Sequence, residues 1–249
     1  MRITTWNVNG IRAREAQLLS FLETDRPDVL CLQEIKAAPD QVPSSLLSHA
    51  DYVARWYGER AYSGVAVLVR KGAFPEEPVF EVPAFDFETR VLTARLPGVT
   101  VASVYVPNGG KDYAAKLDFL GKLKLFAEER RSAGELILLG DMNVARTDMD
   151  VHPKERKPDA IGQRADERSL FDGLFAAGYV DVVRAQHPTD ADLFTWWPPW
   201  RKMRERNIGW RIDYVVASAG AAAKATVSQV QASFGTSDHA PVTATFEMG

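Results

Sequence analysis

Short runs rich in Val, Ile, Thr and aromatic residues recur along the whole chain, at 3–8, 29–33, 52–57, 65–70, 91–96, 99–106, 136–139, 179–183, 212–218, 226–232 and 242–246. Runs of this length separated by turn formers read as β-strands, and there are too many for a small doubly wound sheet. Two other segments have helical period instead. Ile11, Glu15, Leu18 and Leu22 are spaced 4, 3 and 4, and Leu117, Leu120, Leu123 and Ala127 are spaced 3, 3 and 4. Asp112 is placed to cap the second helix and Gly134 to end it, and a further helix is expected over 166–177. Strands in mixed order with helices outside them predict an α+β fold: a four-layer αββα sandwich of two mixed sheets packed face to face and flanked by helices. Pro and Gly are scattered and neither a low-complexity tract nor an internal repeat interrupts the pattern, so 1–249 reads as a single domain.

Composition narrows the function classes. With 46% hydrophobic and 25% charged residues the chain is an ordinary globule. Its net charge of −3 supplies no general attraction to nucleic acid, so such a partner must be met by a local patch. The single cysteine, Cys31, lies in the apolar run 29–32, which excludes an internal disulfide and suggests a core residue in a reducing compartment. The apolar run 65–69 is far shorter than the roughly 18 residues of a membrane span. Strand-like sequence starts at Arg2, so no signal peptide is expected. These features predict a soluble cytoplasmic protein that makes no membrane contact and acts as a monomer.

The polar residues repeat one arrangement, an apolar strand followed by acids or amides. The run from Ile3 leads into Asn7 and Asn9; the run from Val29 leads into Glu34; the run from Leu136 leads into Gly140, Asp141, Met142 and Asn143. At period two, Asn7 and Asn9 would face one way, as would Asp141 and Asn143. Asp213 opens one late strand, and Asp238 with His239 precedes another. Taken singly, each has an ordinary reading: 140–143 as a turn, Asn7 and Asn9 as helix caps, Glu34 as a solvated loop residue, His239 as structural. Taken together on one rim, the hard oxygen donors of Glu34, Asp141, Asn143 and Asp238, with the imidazole of His239 and no thiol, suit Mg²⁺ or Mn²⁺ rather than zinc.

Six motifs in order carry a resemblance: residues 6–13 (WNVNGIRA), 32–36 (LQEIK), 105–109 (YVPNG), 140–145 (GDMNVA), 207–214 (NIGWRIDY) and 237–241 (SDHAP). The chain resembles the exonuclease III family of abasic-site endonucleases from residue 2 to about residue 246. The resemblance implies a DNase I-like αββα sandwich. It also implies Mg²⁺-dependent hydrolysis of the phosphodiester 5′ to abasic sites in double-stranded DNA, with 3′-phosphodiesterase activity on blocked 3′ ends and 3′-5′ exonuclease activity. Glu34 would anchor the ion with help from Asn7 and Asp238. Asp141 would be the base toward water and Asn143 would hold that water; both residues, and His239, are also candidate ligands. His239 resembles the family's phosphate-contacting histidine, with Asp213 fixing its tautomer, while Tyr105 and Asn108 would hydrogen-bond the phosphate. Trp196, Trp210 and Ile212 match the hydrophobic pocket that would take a bare deoxyribose.

DNA would be gripped by the segment 194–211. It carries Arg201, Lys202, Arg204, Arg206 and Arg211 against Glu205, interleaved with Trp196, Trp197, Trp200 and Trp210. Arg204 and Asn207 are expected among its contacts. Three positions depart from the family pattern: Asn9 where some relatives carry Asp, Arg146 where others have His, and the loosely matching loop 161–168. Two other readings compete: a phosphodiesterase on RNA or nucleotides, and a catalytically silent nucleic-acid-binding regulator of the same fold. The tryptophan-rich NIGWRIDY segment argues against the first, and the retention of Glu34, Asp141, Asn143, Asp213, Asp238 and His239 against the second.

Overall fold

The computed structural model describes residues 1–247, so the last two residues of the expected 1–249 domain lie outside the described residues. One six-stranded sheet is built from β1 (Arg2–Asn7), β2 (Val29–Gln33), β3 (Tyr52–Glu59), β4 (Tyr62–Arg70), β11 (Ala225–Val230) and β12 (Val242–Phe246), in the order β11-β12-β1-β2-β4-β3. The other contains β5 (Val79–Glu81), β6 (Val91–Leu96), β7 (Val99–Tyr105), β8 (Glu135–Asp141), β9 (Tyr179–Asp181) and β10 (Asp213–Ser218), in the order β5-β6-β7-β8-β10-β9. Each sheet has one parallel pair at its centre, β1 with β2 and β7 with β8, and antiparallel pairs outside it. Both sheets are therefore mixed, as expected.

Alternation along the strands divides the apolar residues between layers. Ile3, Val29, Cys31, Val65 and Val67 meet Leu92, Val101, Ile137, Leu139 and Val215 between the sheets. The opposite faces are covered by helices. Ile11, Leu18, Phe21 and Leu22 of α1 (Ile11–Thr24) pack on Leu30, Leu32 and Leu68. Phe119, Leu120 and Leu123 of α3 (Tyr113–Arg130) and Phe171 and Leu174 of α4 (Ala165–Ala176) pack on Val104, Leu138 and Val216. The result is the four-layer αββα sandwich. Short helices α2 (Ser44–Leu47), α5 (Val182–Gln186) and α6 (Ala219–Ala222) complete the set. Among the described residues no helix is long and apolar enough to cross a membrane.

Several local expectations need correction. The strand predicted over 179–183 stops at Asp181, whose carboxylate accepts from Arg184 N at 3.1 Å and starts α5 instead. The edge strand β5, three residues long, carried no legible pattern. Asp112 caps α3 through Ala115 N at 2.9 Å, but Gly134 does not end it; the helix stops at Arg130 and a turn intervenes. Asn7 and Asn9 do not cap α1, whose first position follows Gly10 with no side-chain cap. On α3 the buried stripe includes Lys116 in place of the half-buried Leu117. Gly140 lies within β8, paired with Val104, not in a turn, and glycine is required there because a Cβ would collide with the Val104 carbonyl of the neighbouring strand.

Candidate active site

Strand register brings the polar residues to one rim. Asn7 pairs with Gln33, the residue before Glu34; Tyr105 and Asp213 both lie opposite Asp141; and β12 begins three residues after His239. Below them a buried chain crosses between the sheets: Thr5 Oγ1 donates to Gln33 Oε1, and Gln33 Nε2 donates to Ser103 Oγ, each at 3.0 Å. The expected period-two pairing of Asn7 with Asn9 and of Asp141 with Asn143 is replaced by a different device. In both places the strand ends and the backbone turns left-handed, with φ 44° at Asn9 and 50° at Asn143. The amides of Asn9 and Asn143 then donate back to Asn7 Oδ1 and Asp141 Oδ1, at 3.0 and 2.9 Å. Asparagine tolerates this conformation better than most residues.

Asn7 is fully buried, and its Nδ2 donates to Glu34 Oε1 and Asp141 Oδ2, both at 3.0 Å. It thus braces the two carboxylates through its nitrogen. Glu34, Asp141 and His239 each offer a donor atom within 4.8 Å of the other two, a cluster that could hold a metal ion. Its two carboxylates are hard donors suited to a divalent cation such as Mg²⁺. Asp238 stands outside this cluster. Its Oδ1 accepts from Asn9 Nδ2 at 2.8 Å and its Oδ2 from Trp196 Nε1 at 3.0 Å.

Charge is distributed unevenly across these groups. Burial works against ionisation of His239, but the carboxylates of Asp213 and Asp141 overcome it and push its pKa up to about 10. Its Nδ1–H donates to Asp213 Oδ2 at 2.9 Å, while Nε2 stands 3.8 Å from Asp141 Oδ2, beyond hydrogen-bond length. At neutral pH the ring is therefore a cation with its second N–H aimed at the rim. Asp141 is shifted upward by its own burial, with the His239 charge pulling against the charges of Asp213 and Glu34. Burial also opposes the charge of Glu34, but the hydrogen bond from Asn7, together with Lys36 and the His239 charge, holds its carboxyl below the usual range. Burial and the nearby charges of Glu34 and Asp141 keep Tyr105 protonated well beyond its ordinary value, so its hydroxyl is a donor.

These groups open onto a cavity of about 370 Å³ lined by Asn108, Asn143, Trp196, Trp210 and Ile212. Trp196 and Trp210 meet edge to face, 5.6 Å apart at 80°, and exchange backbone hydrogen bonds of 2.8 and 2.9 Å. Gly162 lies against the Trp210 ring, where a Cβ would approach to 2.7 Å. Asn143 commits its amide nitrogen to Val106 O at 2.9 Å and Asp141 Oδ2 at 3.2 Å, leaving its oxygen as the acceptor.

The basic segment behaves differently from its composition. Arg211 is 1% exposed and pairs with Asp150 at 2.7 Å and Asp181 at 2.8 Å, so it cannot reach DNA. Arg204 stacks on Trp197 and donates to the carbonyls of Ala232, Phe234 and Ser237, clamping the loop before Asp238. Asn207 accepts from Trp197 Nε1 at 3.0 Å and donates to Asp192 O at 2.9 Å. Both hold loops and both lie outside the cavity lined by Glu34, Asp141 and His239. Arg201, Lys202, Arg206 and Trp200 remain exposed.

The Asp150–Arg211 pair carries a stability prediction. Burial opposes the Asp150 charge, but Arg211 and Arg184 hold its carboxyl below the ordinary aspartate range. Because the folded pKa is depressed, this contribution is present above the ordinary range and is lost as pH falls through the native value. Asp150→Asn is expected to cost roughly 3–5 kcal/mol in urea unfolding at pH 7, with the gap to the parent narrowing at acid pH. Equal stability at pH 7 would contradict this.

Sequence reasoning missed four residues here. Thr195, fully buried, donates to Asp213 Oδ2 at 2.7 Å and accepts from the amides of Ile212 and Asp213 at 3.0 Å, locking the histidine's partner. Lys36 Nζ lies 2.7 Å from Glu34 Oε2 and donates to Asn9 Oδ1 at 2.6 Å. Lys36 falls inside the LQEIK motif, where its charge two residues from Glu34 is a usable signal. Thr195, Lys116 and its buried partner Glu167 carried no local signal.

Residues 4–239 match the Endonuclease/Exonuclease/phosphatase family. The DNA repair nuclease APEX1 of Danio rerio is 33% identical over 254 residues, spanning 98% of this chain and 81% of the relative. The exodeoxyribonuclease of Bacillus subtilis is 34% identical over 252 residues, spanning 97% and 98% respectively. An AP endonuclease from Archaeoglobus fulgidus superimposes with a TM-score of 0.90 at 28% identity, and the 3′-5′ exonuclease NExo from Neisseria meningitidis with 0.91 at 34%, each over 100% of both chains. With a family match over nearly its whole length, relatives above 30% identity and the acidic–histidine rim in place, the chain belongs to the endonuclease/exonuclease/phosphatase family, in its exonuclease III branch of abasic-site endonucleases.

Proposed function

We propose that this protein hydrolyses the phosphodiester 5′ to abasic sites in double-stranded DNA, and trims blocked and normal 3′ ends by the same chemistry, as a Mg²⁺-dependent monomeric cytoplasmic enzyme in which Mn²⁺ can substitute. The observation that carries the reading is the placement of the buried His239–Asp213 pair beside Glu34 and Asp141 at the mouth of a cavity walled by two tryptophans. The relatives are a DNA repair nuclease and an exodeoxyribonuclease by name, which favours DNA over the alternative of RNA or nucleotides.

Glu34 and Asp141 would hold the cation, which when bound would supply Lewis-acid neutralisation of the phosphoryl and leaving oxygens. The protein's own groups do the rest. Asp141 accepts the proton of the attacking water. Asn143, through its free oxygen, orients that water against Asp141. His239, held charged by Asp213, donates Nε2–H to a phosphoryl oxygen, and the protonated Tyr105 and Asn108 donate to others, so donors face the charge as it develops. Trp196, Trp210 and Ile212 accept a deoxyribose without its base. A labelled duplex carrying one tetrahydrofuran abasic analogue tests this: cleavage 5′ to the analogue with Mg²⁺ and none with EDTA is expected, and an intact strand in both would refute the reading.

Trp210 should decide selectivity, because it supplies contact to the flipped sugar and also blocks an intact nucleotide. Loss of an aromatic contact to a nucleotide costs ~1–3 kcal/mol, so Trp210→Ala should lower kcat/KM on the abasic duplex about ten- to a hundred-fold. Trimming of a normal 3′ end should fall less, or rise. Equal losses on both substrates would mean that Trp210 only supports the Asp213 strand.

A further inference from the structure

Lys116, on the first turn of α3, and Glu167, on the first turn of α4, form an ion pair in which both side chains are fully buried. Replacing such a pair with apolar groups of similar size is often neutral or stabilising, so stability alone gives little reason to keep one. What this pair touches gives another. An ammonium has three N–H donors, and Lys116 Nζ meets three acceptors: the Glu167 carboxylate, Asn143 O at 2.7 Å and Asn108 O at 3.4 Å. Glu167 Oε1 in turn accepts from Gly162 N at 2.5 Å and Arg164 N at 3.0 Å. Gly162 carries the Trp210 ring, and its carbonyl accepts from Ala145 N at 2.7 Å. Gly109 leaves room for the lysine stem, since a Cβ there would fall 2.9 Å from Lys116 Cδ. One buried pair thus ties the loop bearing Asn108, the loop bearing Asn143 and the loop behind Trp210, three separate walls of the cavity.

We propose that Lys116 and Glu167 are positioning residues for hydrolysis, which pin the left-handed backbone at Asn143 and so hold its side chain against Asp141. The proposal rests on the reading of Asp141 and Asn143 given above. Neither residue reaches the cavity itself; the pair acts through Asn143 and secondarily through Asn108 and Trp210.

The test is a double-mutant cycle on the tetrahydrofuran duplex with Mg²⁺. Lys116→Met/Glu167→Gln removes both charges together while the new side-chain carbonyl still accepts the Gly162 and Arg164 amides, so no lone buried charge is left behind. This neutral pair should lower kcat by about ten- to a hundred-fold, the range expected for sub-ångström misplacement, with KM within about twofold. In the Asn143→Ala background the same pair should change kcat less than about twofold, because the residue it positions is gone. In EDTA, the Asn143 side-chain amide signal in the NMR spectrum should move on introducing the neutral pair. Unchanged kcat in the folded variant, or the same fold-loss in both backgrounds, overturns the proposal. If the neutral pair does not fold, Lys116→Arg, which keeps the charge but shifts the donors, reads the same coupling to Asn143. Parent activity is measured first. Failure of the parent to cut the duplex counts against the functional reading, and the cycle is then run on a recessed normal 3′ end.

Discussion

Asp141→Asn is expected to lower kcat by ~10²–10⁴-fold, the range for loss of a general base. The carboxylate is 1% exposed, so the isosteric amide cannot be replaced by bulk water. Three donors converge on it, from Asn7 Nδ2, Asn143 N and Asn143 Nδ2. An asparagine offers only one acceptor atom, so one of these meets an NH₂ group instead, and the local geometry loosens as the proton acceptor disappears. Duplex binding in EDTA should change only a few-fold, because phosphate contacts elsewhere carry affinity. The acid limb of the pH–rate profile should flatten, since the carboxyl that must ionise is gone. A variant with near-parental kcat, or one that keeps the same acid limb, would move the base to another residue.

The second large effect belongs to His239 and Asp213. Each single alanine variant should lose ~10²–10⁴-fold in kcat, and the double variant should be no worse than the more damaged single, because the two side chains form one charged donor. Losses that multiply would dissolve the pair. A stability measurement in EDTA supplies an independent check. The His239 pKa is raised from 6.5 to about 10 by its carboxylate neighbours, burial notwithstanding. A raised pKa means the stabilisation is complete below about pH 6.5 and is lost as pH climbs toward 10. Asp213→Ala should therefore be destabilised most at mildly acidic pH, with the gap closing in alkali. Thr195→Val should show a weaker version of the same catalytic loss, because Thr195 Oγ1 holds Asp213 Oδ2 at 2.7 Å without touching the histidine.

The strands and the two long helices were legible because their cause is local. Val, Ile and Thr alternate along a pleat, and Leu18, Phe21 and Leu22 or Leu120, Leu123 and Ala127 share one face of a helix whatever the rest of the chain does. The rim was legible for a related reason. Asn7, Glu34, Asp141, Asp213 and His239 stand beside strand ends, and parallel pairing of β1 with β2 and β7 with β8, with β10 and β12 returning antiparallel, brings those ends together.

Which charges are solvated was decided only in three dimensions. Arg211 sits in a run that reads as a basic surface loop, yet its partner Asp150 lies 61 residues earlier, and burial becomes tolerable only once the two are brought together. Arg204 reads the same way and is engaged by carbonyls 28 to 33 residues later. Lys116 occupies an apolar stripe because Glu167 reaches it from another helix. Sequence by itself determined the layers, the strand ends and the chemical types gathered at the rim, since period and residue chemistry act within a few residues. Tertiary structure alone decided that Asn7 braces Glu34 and Asp141, that Asp238 is held by Asn9 and Trp196, and that the basic loop commits two of its cations internally, because the free energy of a buried polar group is set by partners that no local pattern announces.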